Sequence, residues 1–242
     1  MNEKIQSLLH LSHEIGRQDR GMAILGEGST SVRLDGDQFA VKSSGCSLAT
    51  LTEADVTLCD LPRALAILDK RQLSDEELEQ QLLDARIAGA GKKPSVESMF
   101  HAWLLTLRDV NHVGHCHPLV ANQVLCSPRA RDFAERRLFP DEVAWCGPQS
   151  VFIPYADPGF PLAREIAERT RLFVEKEGQV PRLILLQNHG IIALGNSPHA
   201  VLACLQMATK AAAIFMGAAA MGGPNFLTPQ HVDRIANQPL NR

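Results

Sequence analysis

The sequence predicts a mixed α/β domain. Three features carry this. Apolar residues Val96, Met99, Phe100, Trp103, Leu104 and Leu107 recur at helical spacing, Asp35-Gly36 separates two alternating runs, and the unbroken apolar runs 183–186 and 191–194 are too short for helices. No internal repeat, low-complexity linker or domain boundary interrupts the 242 residues, so one domain spanning 1–242 is expected.

Taken in order, Ile5, Leu8, Leu9 and Ile15 mark an amphipathic helix over 3–18. The glycine-rich stretch Gly26-Glu27-Gly28-Ser29-Thr30-Ser31 follows it, then strands at 32–34 and 38–42 joined by the Asp-Gly reversal, then a second loop, Ser43-Ser44-Gly45. Residues 50–61 hold a turn and a strand. A helix over 73–88 has Ser74 as its cap and acids in its first turn, and Gly89 and Gly91 break the chain after it. Pro94-Ser95 opens the striped helix through Leu107. Strands are expected at 111–118 and 151–155 and a helix at 161–176; Gln187-Asn188-His189-Gly190 reverses the chain between the two apolar runs. Ser197-Pro198 then starts a helix to about Gly217, apolar nearly all round, which suits the core or a subunit interface.

Composition narrows the function. Apolar residues make up 45% and charged residues 21%, a globular profile, and a net charge of −3 with scattered Lys and Arg offers no field for a phosphodiester backbone. Nucleic acid is therefore excluded as an expected partner. No apolar run reaches the ~18 residues a bilayer requires, and Met1-Asn2-Glu3-Lys4 is no signal peptide, so no membrane association and a cytoplasmic location are expected. The six cysteines form no C-x-x-C pair and read as buried thiols; Cys116, between two histidines, would point away from them on a strand.

The chemistry concentrates at His115-x-His117. Residues i and i+2 of a strand share a face about 6.5–7 Å apart, so both imidazoles could reach one ion. His189, in the turn of an apolar hairpin, supplies a third nitrogen, and three ligands leave a position open for substrate. Two histidines on a strand are also compatible with ordinary core or surface side chains. Glu97 stands in the first turn of its helix, where the dipole favours a carboxylate and where it could also reach the metal as ligand, acid or base. His112 falls on the opposite strand face and reads as solvated or outer; His10, His13, His101, His199 and His231 fall in no pattern.

In order along the chain, Gly28-Ser29-Thr30-Ser31-Val32-Arg33, Lys42-Ser43-Ser44-Gly45, Pro94-Ser95-Val96-Glu97, His115-Cys116-His117-Pro118, Ile153-Pro154-Tyr155 and Gln187-Asn188-His189-Gly190 resemble the motifs of the class II aldolase/adducin family over about residues 5–217. The resemblance implies an α/β/α three-layer domain with a central, largely antiparallel sheet and a site completed at subunit interfaces, often in a homotetramer. It implies one divalent metal per chain, zinc in the first instance, on His115, His117 and His189 with Glu97 as ligating or catalytic carboxylate. Gly28, Ser29, Ser44, Gly45 and Ser95 would cradle a substrate phosphate through backbone N–H groups and hydroxyls. Ser29 stands where the family has Asn, Lys42 precedes the second loop at a strand end where a lysine is usually solvated, and the only tyrosine is Tyr155, so a tyrosine acid must be that one. The implied function is a metal-dependent lyase cleaving a C–C bond through a metal-stabilised enediolate, an aldolase acting on a phosphorylated ketose. The alternatives are a decarboxylase of a sugar-acid phosphate or aromatic carboxylate and, in another class, a non-catalytic adducin-like interaction module, against which the intact ligand set speaks.

Overall fold

The computed structural model describes residues 2–87 and 92–237. Helix α1 (Glu3–Gly16) starts where the Asn2 side chain accepts from the Lys4 amide; a 3-10 turn at Gln18–Arg20 ends the predicted helix early. Strands β1 (Ser29–Arg33) and β2 (Gln38–Lys42) form the expected hairpin, with Gly36 at φ 66° in its turn. Strand β3 (Val56–Asp60) leads directly into α2 (Leu61–Leu68), capped by Asp60. Helix α3 (Asp75–Ala85) has a reciprocal capping box between Ser74 and Glu77. The predicted break at Gly89 and Gly91 lies outside the described residues.

Helix α4 is shorter than its stripe, running Ser98–Leu104. Pro94 is held extended by a bridge to Ser43, Ser95–Ser98 form a turn, and the chain leaves through turns at 105–110. After β4 (His112–Cys116) come three short helices that periodicity does not single out, α5 (Leu119–Leu125), α6 (Ala130–Glu135) and α7 (Pro140–Cys146). Then follow β5 (Val151–Ile153), α8 (Phe160–Glu177), β6 (Leu183–Leu186), β7 (Gly190–Gly195), α9 (Pro198–Ala220) and α10 (Pro229–Ala236).

The seven strands form one sheet in the order β3-β2-β1-β4-β7-β6-β5, antiparallel throughout except for β5 beside β6. Strand alternation divides the core in two. Val113, Ile184 and Ile192 face α2, α3, α4 and α8, whereas Cys116, Leu183, Leu185, Ile191 and Ala193 face α1, α5, α6, α7 and α9. The sheet is thus the middle layer of three, the architecture expected. Cys116 points away from the neighbouring histidines into the second core, and none of the six cysteines is disulfide-bonded.

Helix α9 corrects one expectation. Its 23 residues, with a mean hydropathy of 1.5 in the most apolar window, do satisfy the length and composition of a membrane span. It packs on the sheet instead through Val201, Cys204, Leu205, Ala208, Ala212 and Phe215. Nor is it buried all round, because Gln206, Lys210, Ala213, Ile214 and Gly217 are exposed on the other face. Ala208, Ala211 and Ala212 are the alanines on the packed face.

Phe39 is wholly buried between β2 and the α2–α3 layer. Phe39→Ala is expected to lower unfolding free energy by about 3–5 kcal/mol, measured from urea midpoints.

Candidate metal centre

Register sets the first contacts. Ser29 of β1 is the cross-strand partner of His115 in β4, so the two side chains stand side by side beneath the start of α4. Ser29 and Ser31 share a face of β1 by the two-residue period, and Glu97 and His101 share a face of the α4 segment by the four-residue spacing. The two pairs interlock. The Ser29 hydroxyl donates to Glu97 Oε2, His101 Nε2 lies 2.7 Å from Ser29 Oγ, and His101 Nδ1 lies 2.7 Å from Ser31 Oγ. With Ser29 donating to the carboxylate, His101 must donate to Ser29 from Nε2 and accept from Ser31 at Nδ1. Burial holds His101 down at about 3, so it is a neutral imidazole at pH 7. The i, i+4 relation to Glu97 was the only trace of this role in the sequence.

Glu97 also accepts from His115 Nδ1, at 3.1 and 3.2 Å for its two oxygens. Burial opposes its charge, but the neighbouring His115 and the Ser29 hydroxyl outweigh this and hold the carboxyl well below its usual range. With Nδ1–H directed at Glu97, the neutral tautomer of His115 carries its lone pair on Nε2. That nitrogen lies 3.2 Å from His117 Nε2, and the ligand atoms of His115, His117 and His189 are all within 4.8 Å of one another. Glu97 is not in this cluster: it sits behind His115 rather than beside the three convergent nitrogens. Burial, the largest cause, holds His117 and His189 down at about 4, leaving both neutral and able to ligate at pH 7.

The hairpin turn carries His189 on Asn188, which adopts φ 56°, and the Asn122 amide of α5 donates to the His189 carbonyl at 2.9 Å. Gly190 is required by space. A Cβ there would lie 2.6 Å from both the Cys116 carbonyl and His117 Cδ2, displacing the His117 ring.

The two glycine loops meet beside this cluster. The Ser43–Pro94 bridge brings Ser44 and Gly45 next to Ser95, whose hydroxyl accepts from the Glu97 amide at 3.1 Å. Lys42 is not solvated as expected. Its buried Nζ donates to the Gly26 and Cys46 carbonyls at 3.1 and 2.7 Å, tying the first loop to the second, and burial lowers its pKa. Gly28, at φ 73°, packs against the His115 carbonyl where a Cβ would lie 2.6 Å away. The Ser29 hydroxyl, fully buried and committed to Glu97 and His101, is not offered to a ligand.

Two other expectations change. His112 does lie on the opposite strand face, but it is buried, 2.8 Å from Ser7 Oγ, with burial holding it down at about 4. Tyr155 is tied by its backbone N–H to Gln187 Oε1, near His189, yet its exposed hydroxyl donates to Asp157 at 3.0 Å and does not join the cluster. It borders a separate cleft of about 950 Å³ with Trp103 and Arg164.

A sheet between two helical layers, with three convergent imidazoles at the end of its central strand, defines a layered α/β domain with a metal-type centre. The chain belongs to the Class II Aldolase and Adducin N-terminal domain family, whose model matches residues 6–216. It is 28% identical over 188 residues to a 3-oxo-tetronate 4-phosphate decarboxylase from Haemophilus influenzae, covering 76% of this chain and 74% of that protein. It is also 28% identical over 201 residues to the uncharacterized oxidoreductase YuxG of Bacillus subtilis, covering 80% of this chain but spanning only 27% of that protein. Its fold is that of the N-terminal class II aldolase domain of a conserved Thermoplasma acidophilum protein, with a TM-score of 0.72 at 24% identity over 89% of this chain and 95% of the other. An L-fuculose 1-phosphate aldolase has the same TM-score, 0.72, at 19% identity over 98% and 95% of the respective chains.

The buried histidines set an acid limit on stability. His101, His112, His117 and His189 all have folded values below the ~6.5 of an unfolded histidine, so below that pH the unfolded chain binds more protons. Stability of the metal-free protein is expected to be flat with respect to these groups above about pH 7 and to fall from about 6.5 towards 4, by up to ~1.4 kcal/mol per pH unit per titrating histidine. Denaturant unfolding at stepped pH measures this.

Proposed function

We propose that this chain is a divalent-metal-dependent lyase that cleaves a carbon–carbon bond beside a carbonyl, acting as an aldolase on a phosphorylated ketose. The observation that carries the reading is the convergence of three imidazoles. The 3.2 Å between the Nε2 atoms of His115 and His117 fits the ~3.3 Å between nitrogens bound at ~2.0–2.1 Å to tetrahedral zinc. His115, His117 and His189 would hold one ion per chain and leave a position for substrate. When bound, the ion supplies Lewis acidity, stabilising negative charge on a carbonyl oxygen.

The chain's own residues handle protons and position. Glu97 is kept as a carboxylate, with its side chain 20% exposed, and would exchange a proton with the carbon left when the bond breaks by turning from its place behind His115 toward the ion. His101 and Ser29 fix its orientation from behind. Gly28, Ser44, Gly45 and Ser95 take the substrate phosphate through the paired loops that Lys42 locks together, with Ser29 contributing through its backbone alone. Tyr155 would serve as an acid only after leaving Asp157. The exposed face of α9 is a surface for a homotetramer.

A second reading, decarboxylation of a sugar-acid phosphate, is favoured by the Haemophilus influenzae relative. It places the same demands on the histidines and Glu97 and differs in releasing carbon dioxide instead of an aldehyde.

Elemental analysis of the purified protein tests the metal reading, with about one zinc or other divalent ion per chain expected. His117→Ala should lose metal and turnover together. Glu97→Gln should keep fold and metal while turnover falls by ~10²–10⁴ in assays of ketose phosphates and 3-oxo acid phosphates. Absence of metal after reconstitution would favour the interaction-module reading, and full activity in Glu97→Gln would remove its assigned role.

A further inference from the structure

His115 has a carboxylate on its outer nitrogen. At His117 a carboxylate also stands toward the outer nitrogen, at ion-pair rather than hydrogen-bond distance. Its Nε2 faces His115 Nε2 at 3.2 Å, so its Nδ1 faces outward, and the group there is Glu27, whose Oε1 is 3.8 Å away. The segment before β1 is built to hold that carboxylate in place. The His117 amide donates to the Met22 carbonyl at 2.8 Å, the Glu27 amide donates to the Ile24 carbonyl at 3.0 Å, and the Ile24 amide donates to Glu27 Oε2 at 2.9 Å. These bonds close a turn in which Leu25 adopts φ 56° with its side chain almost fully exposed. A non-glycine residue in the left-handed region persists only when its surroundings over-determine it.

We propose that Glu27 is a positioning residue of the metal centre: its carboxylate accepts from Ile24 N–H with one oxygen, and the other, 3.8 Å from His117 Nδ1 as the chain stands, closes to accept from Nδ1–H when an ion is held, keeping Nε2 turned to it. This rests on the metal reading above. Hydrogen-bonded carboxylates behind ligand histidines fix ring orientation and raise ligand basicity, and their loss costs roughly 10–100-fold in metal affinity. Only a carboxylate can accept at both ends here. A glutamine has one acceptor oxygen, so once it caps Ile24 N–H it presents an NH₂ group to His117, which cannot take the Nδ1 proton.

The test is zinc affinity, measured by competition with a chromogenic chelator, for wild type, Glu27→Ala and Glu27→Gln, alongside thermal unfolding of each metal-free protein. Both variants are expected to bind zinc ~10–100-fold more weakly than wild type. In the proton spectrum of the zinc-loaded protein, the His117 Nδ1–H resonance is expected to be protected in wild type and to exchange rapidly in both variants. If Glu27 merely held the turn, Glu27→Gln would bind as wild type does while Glu27→Ala was weakened; that result, or affinities for both variants within about twofold of wild type, overturns the proposal. A wild-type protein that binds neither zinc nor another divalent ion overturns the metal reading itself and this inference with it, whereas tight wild-type binding with unaffected variants removes the role of Glu27 alone.

Discussion

The pairing of β4 with β1 on one side and β7 on the other is the constraint on which the rest of the centre depends. Through it His115 has Ser29 as one neighbour and Ile192 as the other. A shift of one residue in either pairing would turn Ser29 away from His115 or carry the His189 turn out of reach, because side chains alternate between faces. The register is held by apolar alternation on both sheet faces, with Val113 and Ile192 in one core and Cys116, Ile191 and Ala193 in the other. Two well-packed helical layers thus fix the geometry of a polar site at the strand end.

Around that register the polar groups form a directed network. Ser31 donates to His101, His101 to Ser29, Ser29 to Glu97, and His115 donates to Glu97 from the other side. Every proton position follows from the first assignment, so none of these buried groups is left without a partner within the chain of bonds. The result is a carboxylate with little rotational freedom and an imidazole whose lone pair is forced toward His117. Lys42 does comparable work below the loops. Its buried ammonium is stabilised by two carbonyls, and the same bonds fasten the two loops together.

Much of this was legible in the chain. The Asp-Gly hairpin, the Ser74 and Ser197 caps, the apolar pair β6–β7 and the His-x-His strand are local signals, each expressed within a few residues. The length of α4 was not, because its stripe continues into turns that Pro94 and the Ser43 bridge dictate from elsewhere. Nor were α5, α6 and α7, which are each about two turns or less and too short to display a period.

The site divides along the same line. The convergence of His115, His117 and His189 was legible because of residue type, the strand period of the first two and the hairpin turn of the third, and the sequence by itself also determined the order of the loops and the layered class of fold. Tertiary structure alone decided that Glu97 sits behind His115 rather than in the nitrogen cluster, that Ser29 faces a glutamate instead of solvent, that His101 and Lys42 are buried participants, and that the Tyr155 hydroxyl turns to Asp157. For the contacts of Ser29, Glu97 and His101 the physical reason is sequence distance. These contacts join segments up to 72 residues apart, such as Ser29 and His101, and local periodicity carries no information about which side chains a sheet and a helix bring face to face.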